Sequence, residues 1–175
     1  ALKNRPANHP LIVHIAPDAD IGYWSSYIPD AAKKLIDAFW PGPLTLILKK
    51  ASHIPAAVAG GQDSIGLRCP SHPVAQALLR AFKDGKGGIA GPSANRFGQS
   101  EVGIESTILD LSRIETAGPV LLRPGKIHSL QIAEVIGRMP EMPDAAAPRA
   151  SGTLASHYAP LTPVVIVPEK DLTSV

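Results

Sequence analysis

Between Ser64 and Cys69 the chain alternates residue by residue, and this stretch constrains the fold more than any other. In a strand, successive side chains point to opposite faces. Ile65, Leu67 and Cys69 therefore share one face, and Ser64, Gly66 and Arg68 share the other. Such a strand buries one side and offers a hydroxyl, an open backbone and a guanidinium on the other. After it, Ser71 is expected to cap a helix carrying Val74, Leu78 and Phe82 at helical spacing, with Pro73 tolerated in the first turn. Gly85-Lys86-Gly87-Gly88 should end that helix, and Ile89-Ala90 should form a strand.

The flanking segments extend the pattern. Leu11 to Ile15 reads as a strand with His14 opposite its apolar face. Pro29-Asp30 opens a helix through about Phe39, with Leu35, Ile36 and Phe39 on its buried side; Trp40-Pro41-Gly42-Pro43 stops it. Leu44 to Leu48, Ser106 to Leu111 and Val120 to Leu122 are further apolar strands. Ser129 should cap a helix through Ile136, with Gly137 as its stop. Residues 138–163 carry five prolines and few large apolar side chains, which is a linker composition. Val164 to Val167 reads as a fresh strand. Strands alternating with helices predict a three-layer α/β domain.

Apolar residues make up 45% and charged residues 18%, as in a globular protein and not a disordered one. No run approaches the roughly 18 apolar residues of a membrane span. No signal peptide is visible, and the chain starts at Ala1. The single cysteine, Cys69, can form neither an internal disulfide nor a multi-cysteine zinc site, and reads as a small buried residue. A cytoplasmic protein without membrane contact is expected. Net charge is only +2, but residues 1–100 hold 11 Lys/Arg against 6 Asp/Glu, and residues 101–175 hold 6 against 9. The first part could host an anion such as phosphate, although ordinary solvated charges account for the count equally well.

Polar clusters recur at strand ends and turns: Lys3-Asn4-Arg5, Arg68, Ser93-Ala94-Asn95, Glu105-Ser106-Thr107 and Arg123-Pro124-Gly125-Lys126. Strand ends are where α/β domains place ligands, while turns hold Ser, Asn, Gly and Pro for backbone reasons alone. The GxxxxGK[ST], GxGxxG and GxSxG patterns are all absent, and His9 and His14 have no nearby carboxylate to complete a metal site. What remains is a set of cations and hydroxyls, suited to a reaction driven by positioning and charge neutralisation, of which attack on a phosphate of ATP is one example.

Taken in order, these clusters resemble the YrdC/Sua5 family. Lys3-Asn4-Arg5 resembles its KxR motif, and Arg5 to His14 the segment after it. Phe39 to Thr45 resembles its helix-to-strand junction, and Ser64 to Pro70 with His72-Pro73 the strand before its next helix. Gly91-Pro92-Ser93-Ala94-Asn95 holds an SxN motif, and Glu105-Ser106-Thr107 and Leu122 to Gly125 complete the set over residues 1–137. His157-Tyr158-Ala159-Pro160 is similar to the linker of the long, Sua5-type members. The resemblance implies a YrdC-like domain over 1–137 with a twisted mixed sheet flanked by helices, a linker over 138–163, and the start of a Rossmann-like domain at 164–175.

It also implies a reaction. L-threonine and bicarbonate give N-carboxythreonine, whose carboxylate attacks the α-phosphate of ATP, giving threonylcarbamoyl-AMP and pyrophosphate. A partner transferase then modifies adenosine 37 of tRNAs reading ANN codons. By resemblance, Lys3, Arg5, His9, Ser64, Ser93, Asn95, Arg123 and Tyr158 fall to ATP, and His14, Arg68, Gly91 and Ser106 to threonine. ATP is a substrate, with Mg2+ held through its phosphates and no metal held by protein alone. No residue is assigned as nucleophile or base. Weak RNA binding is a further implied partnership.

Three departures stand out. The family's preceding Pro-Thr-Glu-Thr-Val-Tyr-Gly-Leu type motif is absent, His9 replaces an Asn, and Gln99-Ser100 runs straight into Glu101-Val102-Gly103 where the family has a longer loop. Two rival readings remain. An RNA-binding module of the same fold without catalysis fits the basic first part, though 5% aromatic content supplies few stacking platforms. A carbamoyl-transfer domain of hydrogenase maturation should bring zinc-finger cysteines, and this chain has one cysteine.

Overall fold

The structure is a computed structural model that describes residues 8–91 and 106–150. The segments in chain order are β1 (Ile12–Ile15), α1 (Ile21–Trp24), β2 (Ser25–Tyr27), α2 (Asp30–Phe39), β3 (Leu44–Lys50) and β4 (Ser64–Arg68). Then come α3 (Pro73–Ala81), which runs into a 3-10 turn at Phe82–Gly85, β5 (Gly88–Gly91), β6 (Thr107–Asp110), α4 (Ile114–Ala117), β7 (Val120–Arg123) and α5 (Ser129–Ile136). Among the described residues the strands form one mixed seven-stranded sheet in the order β5-β1-β4-β3-β6-β7, with β2 paired to the end of β3. The pairs β1–β4 and β3–β6 are parallel; β1–β5, β3–β4 and β6–β7 are antiparallel. The expected mixed α/β sheet flanked by helices is what forms.

One face of the sheet is the main core. Val13, Ile15, Leu44, Leu46, Leu48, Ile65, Leu67 and Leu109 pack there beneath Ala32 and Leu35 of α2 and Ile132 of α5. Each fully buried Leu or Ile contributes about 1.5–3 kcal/mol of apolar transfer. The predicted helix over 30–39 forms with Pro29 as its N-cap residue, and Ile36 and Phe39 pack against the core from partly buried positions.

Two helix starts differ from expectation. His72, not Ser71, caps α3, and its imidazole accepts the Val74 N–H at 3.3 Å. His128, not Ser129, caps α5, with its N–H donated to Gln131 Oε1 at 2.9 Å. The Val74, Leu78, Phe82 stripe faces outward, at 69%, 58% and 39% exposure, while Leu79 is the buried residue of α3.

The opposite face of the sheet carries a smaller apolar cluster of Ile47, Ile108, Val120 and Leu122, reached by Ala150. Residues 138–150, linker-like in composition, are anchored here. The Leu121 N–H donates to the Glu141 carbonyl at 2.9 Å, and the Glu141 N–H to the Pro119 carbonyl at 2.8 Å. Arg113 holds Asp144 through two bonds of 3.2 and 2.9 Å, with its Nε 3.5 Å from buried Asp110. Further on, Gln62 and Arg149 exchange bonds: the Arg149 N–H donates to Gln62 Oε1 at 2.7 Å, and Gln62 Nε2 to the Arg149 carbonyl at 3.0 Å. Val164 to Val167 lies outside the described residues.

Candidate active site on the second face of the sheet

The face opposite the main core gathers the polar side chains. His14 stands directly beside Arg68 in the parallel β1–β4 register. Thr45 follows on β3, one residue beyond the Leu46–Leu67 pair. Ser106 precedes β6, and Arg123 ends β7. These five positions form a row across one end of the sheet, because the ends of β1, β4 and β7 meet the starts of β3 and β6 there.

Arg68 is fixed from below. Its Nε donates to the Gly42 carbonyl at 3.2 Å, and the Gly42 N–H donates to the Cys69 carbonyl at 2.8 Å. The Trp40-Pro41-Gly42-Pro43 turn, whose Trp40–Pro41 bond is cis, thus packs against the end of β4. Gly42 is required: a Cβ there would overlap the Phe39 carbonyl oxygen. Trp40 closes the turn by donating Nε1 to the Leu44 carbonyl at 2.8 Å. With Nε occupied, the two terminal guanidinium nitrogens remain for a ligand, and no carboxylate pairs with Arg68 among the described residues.

Partial burial pushes the Arg68 pKa down from its ordinary value. Burial, and secondarily the charge of Arg68, also lower the His14 pKa. An imidazole in register with a partly desolvated cation resists taking a second positive charge, and among the described residues no carboxylate neutralises the pair. Burial raises the neighbouring Cys69 thiol to about 11, consistent with an inert core residue.

The other end of the row is tighter. Arg123 donates Nε and Nη2 to the Ser106 carbonyl at 3.0 and 2.7 Å, and Nη2 to Ser106 Oγ at 3.0 Å. Ser106 Oγ lies 3.4 Å from Thr45 Oγ1. Thr107 locks the adjoining turn by exchanging bonds with the Ile127 backbone, at 2.8 and 2.9 Å.

Ser64, His9 and Gly91 belong to the other end of the same face. Ser64 is four residues from Arg68, about 13 Å at ~3.3 Å per residue, and pairs with Lys49. His9 lies just before β1, whose start runs beside that of β4. Gly91 pairs with Ile12 on the edge strand, in open space. A crevice here is lined by Ile12, Ser64, Gly66, Gln62 and Arg149, and a cleft of about 720 Å³ adjoins it past Lys49, Ser52 and Arg113. The structure therefore brings His14, Arg68, Ser106 and Arg123 into one row and sets Ser64, His9 and Gly91 toward the far end. Lys3, Arg5, Ser93, Asn95 and Tyr158 lie outside the described residues. Sequence reasoning missed Thr45, Gly42 and the Gln62–Arg149 pair. Thr45 left a signal in its sequence neighbourhood, a hydroxyl inside an otherwise aliphatic strand.

The fold and its polar face define a YrdC-like α/β domain. The fold is shared with the crystal structure of E. coli YciO, at a TM-score of 0.56 and 23% identity, over 74% of this chain and 72% of that one. A family profile described as telomere recombination, covering Sua5, YciO and YrdC, matches residues 1–104, and one described as the threonylcarbamoyl-AMP synthase C-terminal domain matches residues 127–175. The threonylcarbamoyl-AMP synthase of Pyrococcus abyssi is 34% identical over 197 residues, covering 94% of this chain and 56% of the relative. That of Bacillus subtilis is 35% identical over 196 residues, covering 94% and 54%. The crystal structure of P. abyssi Sua5 complexed with L-threonine superposes with a TM-score of 0.74 at 33% identity, over 90% of this chain and 54% of that one. The chain belongs to the YrdC family, in its Sua5-type branch. It spans about half the length of the curated relatives it matches.

Proposed function

We propose that the protein is an L-threonylcarbamoyladenylate synthase, converting L-threonine, bicarbonate and ATP to threonylcarbamoyl-AMP and pyrophosphate. The observation that carries this is Arg68, a partly buried guanidinium beside His14 with two terminal nitrogens and no carboxylate partner among the described residues. A buried cation without a counter-charge is costly unless a ligand supplies one, and a planar guanidinium matches a carboxylate bidentately. The resemblance to a Sua5 structure complexed with L-threonine supports an amino acid as that ligand.

In this reading Arg68 pairs the threonine carboxylate, with His14 and Ser106 contacting the same molecule. Arg123, Ser64, His9, Lys3, Arg5, Ser93, Asn95 and Tyr158 serve ATP. The carboxylate of N-carboxythreonine attacks the α-phosphate, a P–O bond forms, and pyrophosphate leaves with the electron pair of the broken bond. The cations hold the phosphates and neutralise charge as it shifts to the leaving group. In this reading Mg2+ would be carried by the phosphate oxygens of ATP. The product would pass to a transferase acting on adenosine 37 of tRNA in the cytoplasm. Residues 1–137 would act as the catalytic domain, 138–163 as linker and 164–175 as the start of a further domain.

The test is pyrophosphate release by the full-length protein, with mass spectrometry of the product. Release that requires both threonine and bicarbonate, with a threonylcarbamoyl-AMP mass, is expected. Release without threonine would refute the proposed reaction, and salt-sensitive tRNA binding with no ATP turnover would replace it with the RNA-binding reading.

A further inference from the structure

Thr45 is fully buried, yet it carries a hydroxyl. Its methyl faces β4: a Cβ built on Gly66 would stand 3.7 Å from Thr45 Cγ2. Its hydroxyl faces β6, where Ser106 Oγ lies at 3.4 Å. A β-branched side chain is stiff at χ1, so the two groups hold these directions together. Among the described residues Ser106 Oγ is the side-chain or backbone partner that Thr45 Oγ1 has.

That bond can run either way, and the surroundings decide which. If Ser106 donated to Thr45, the Thr45 proton would need an acceptor inside the sheet, and the described residues supply none. A buried hydroxyl proton without a partner costs about 1–3 kcal/mol. Thr45 therefore donates. Ser106 Oγ has two lone pairs and one proton. Arg123 Nη2 takes one lone pair at 3.0 Å and Thr45 takes the other. The Ser106 hydroxyl is then left as a donor alone.

We infer that Thr45 is a positioning residue that fixes Ser106 as an obligate hydrogen-bond donor, so that the ligand atom opposite Ser106 is an oxygen acceptor and not an ammonium. This deepens the proposed synthase reading and rests on it for the ligand's identity. It makes the Ser106 end of the row selective for an anionic or carbonyl oxygen, as the Arg68 end is for a carboxylate. An amine would meet a proton there instead of a lone pair.

Two measurements test it. Thr45→Val keeps the shape and removes the hydroxyl, while Thr45→Ser keeps the hydroxyl. In pyrophosphate release by the full-length protein, Thr45→Val should raise the KM for threonine about tenfold, one charge-neutral bond's worth of orientation, with little change in the KM for ATP. Thr45→Ser should restore most of the loss. An unchanged threonine KM in Thr45→Val, or equal loss in both variants, overturns the inference. The second measurement needs no turnover. Neutron diffraction of the unsubstituted protein should place the Thr45 deuteron on the line to Ser106 Oγ; a deuteron on Ser106 pointing at Thr45 refutes the inference, whatever the enzyme proves to do. Should the unsubstituted protein release no pyrophosphate, the synthase reading fails, and the deuteron position still decides the role of Thr45.

Discussion

Replacing Arg68 with Met should separate stability from function. In the folded protein the guanidinium makes one bond, from Nε to the Gly42 carbonyl at 3.2 Å, and no ion pair among the described residues. A bond from a charged donor contributes about 1.5–3 kcal/mol. Against this stands the cost of desolvating a cation without a counter-charge, several kcal/mol for a fully buried ion and correspondingly less here, where burial is partial. The two nearly offset, so Arg68→Met should change unfolding free energy by no more than about 1 kcal/mol, with stabilisation the expected sign. In the proposed reaction, threonine use should respond very differently. Losing a bidentate contact to a carboxylate removes about 3 kcal/mol, which is more than a hundredfold in KM. Urea denaturation gives the first quantity and threonine-dependent pyrophosphate release the second. A variant destabilised by more than about 2 kcal/mol whose threonine KM stays within threefold of the parent would show that Arg68 is a structural residue, and the argument from its missing partner would be wrong.

Two other outcomes follow from the geometry. His14 has a folded pKa below its ordinary value of 6.5, first because of burial and then because of Arg68. The unfolded chain therefore binds the proton first, so stability should fall as pH drops through 6.5 and level off once both states are protonated. His14→Gln should flatten that part of a pH series of melting temperatures. Arg113→Ala should cost about 3 kcal/mol, since it leaves the buried Asp110 carboxylate without its cation. Asp144→Ala, at the exposed end of the same network, should cost far less than Arg113→Ala in the same denaturation experiment.

Much of the fold was legible because strand alternation reports which face is buried. Ser64, Gly66 and Arg68 do share the face opposite Ile65 and Leu67, as the 64–69 pattern predicts. Periodicity was less informative on α3. Val74, Leu78 and Phe82 have helical spacing, but spacing alone cannot say whether a stripe faces the sheet or solvent, and here Leu79 turns inward. The capping errors share a cause. In both His72-Pro73 and His128-Ser129 the imidazole residue sits where the chain enters the helix, and His is not a favoured cap on propensity alone. Short α1, β2 and α4 carried no periodic signal because three or four residues are too few to show one. Within the site, Arg68 and His14 could be found from their strands. Thr45 could not be joined to Ser106, because 61 residues separate them and only the parallel β3–β6 register brings them together.

The reciprocal clasp between Gln62 and Arg149 has a consequence for the residue that follows it in the chain. Residue 149 is tied to the loop just before Ser64 by a donor and an acceptor on each partner, across 87 positions of chain. Such a paired contact fixes direction as well as distance, because both bonds form only when the two amide planes meet in register. Loosening the clasp would release Ala150 from the second apolar cluster while leaving the sheet's own ladder untouched.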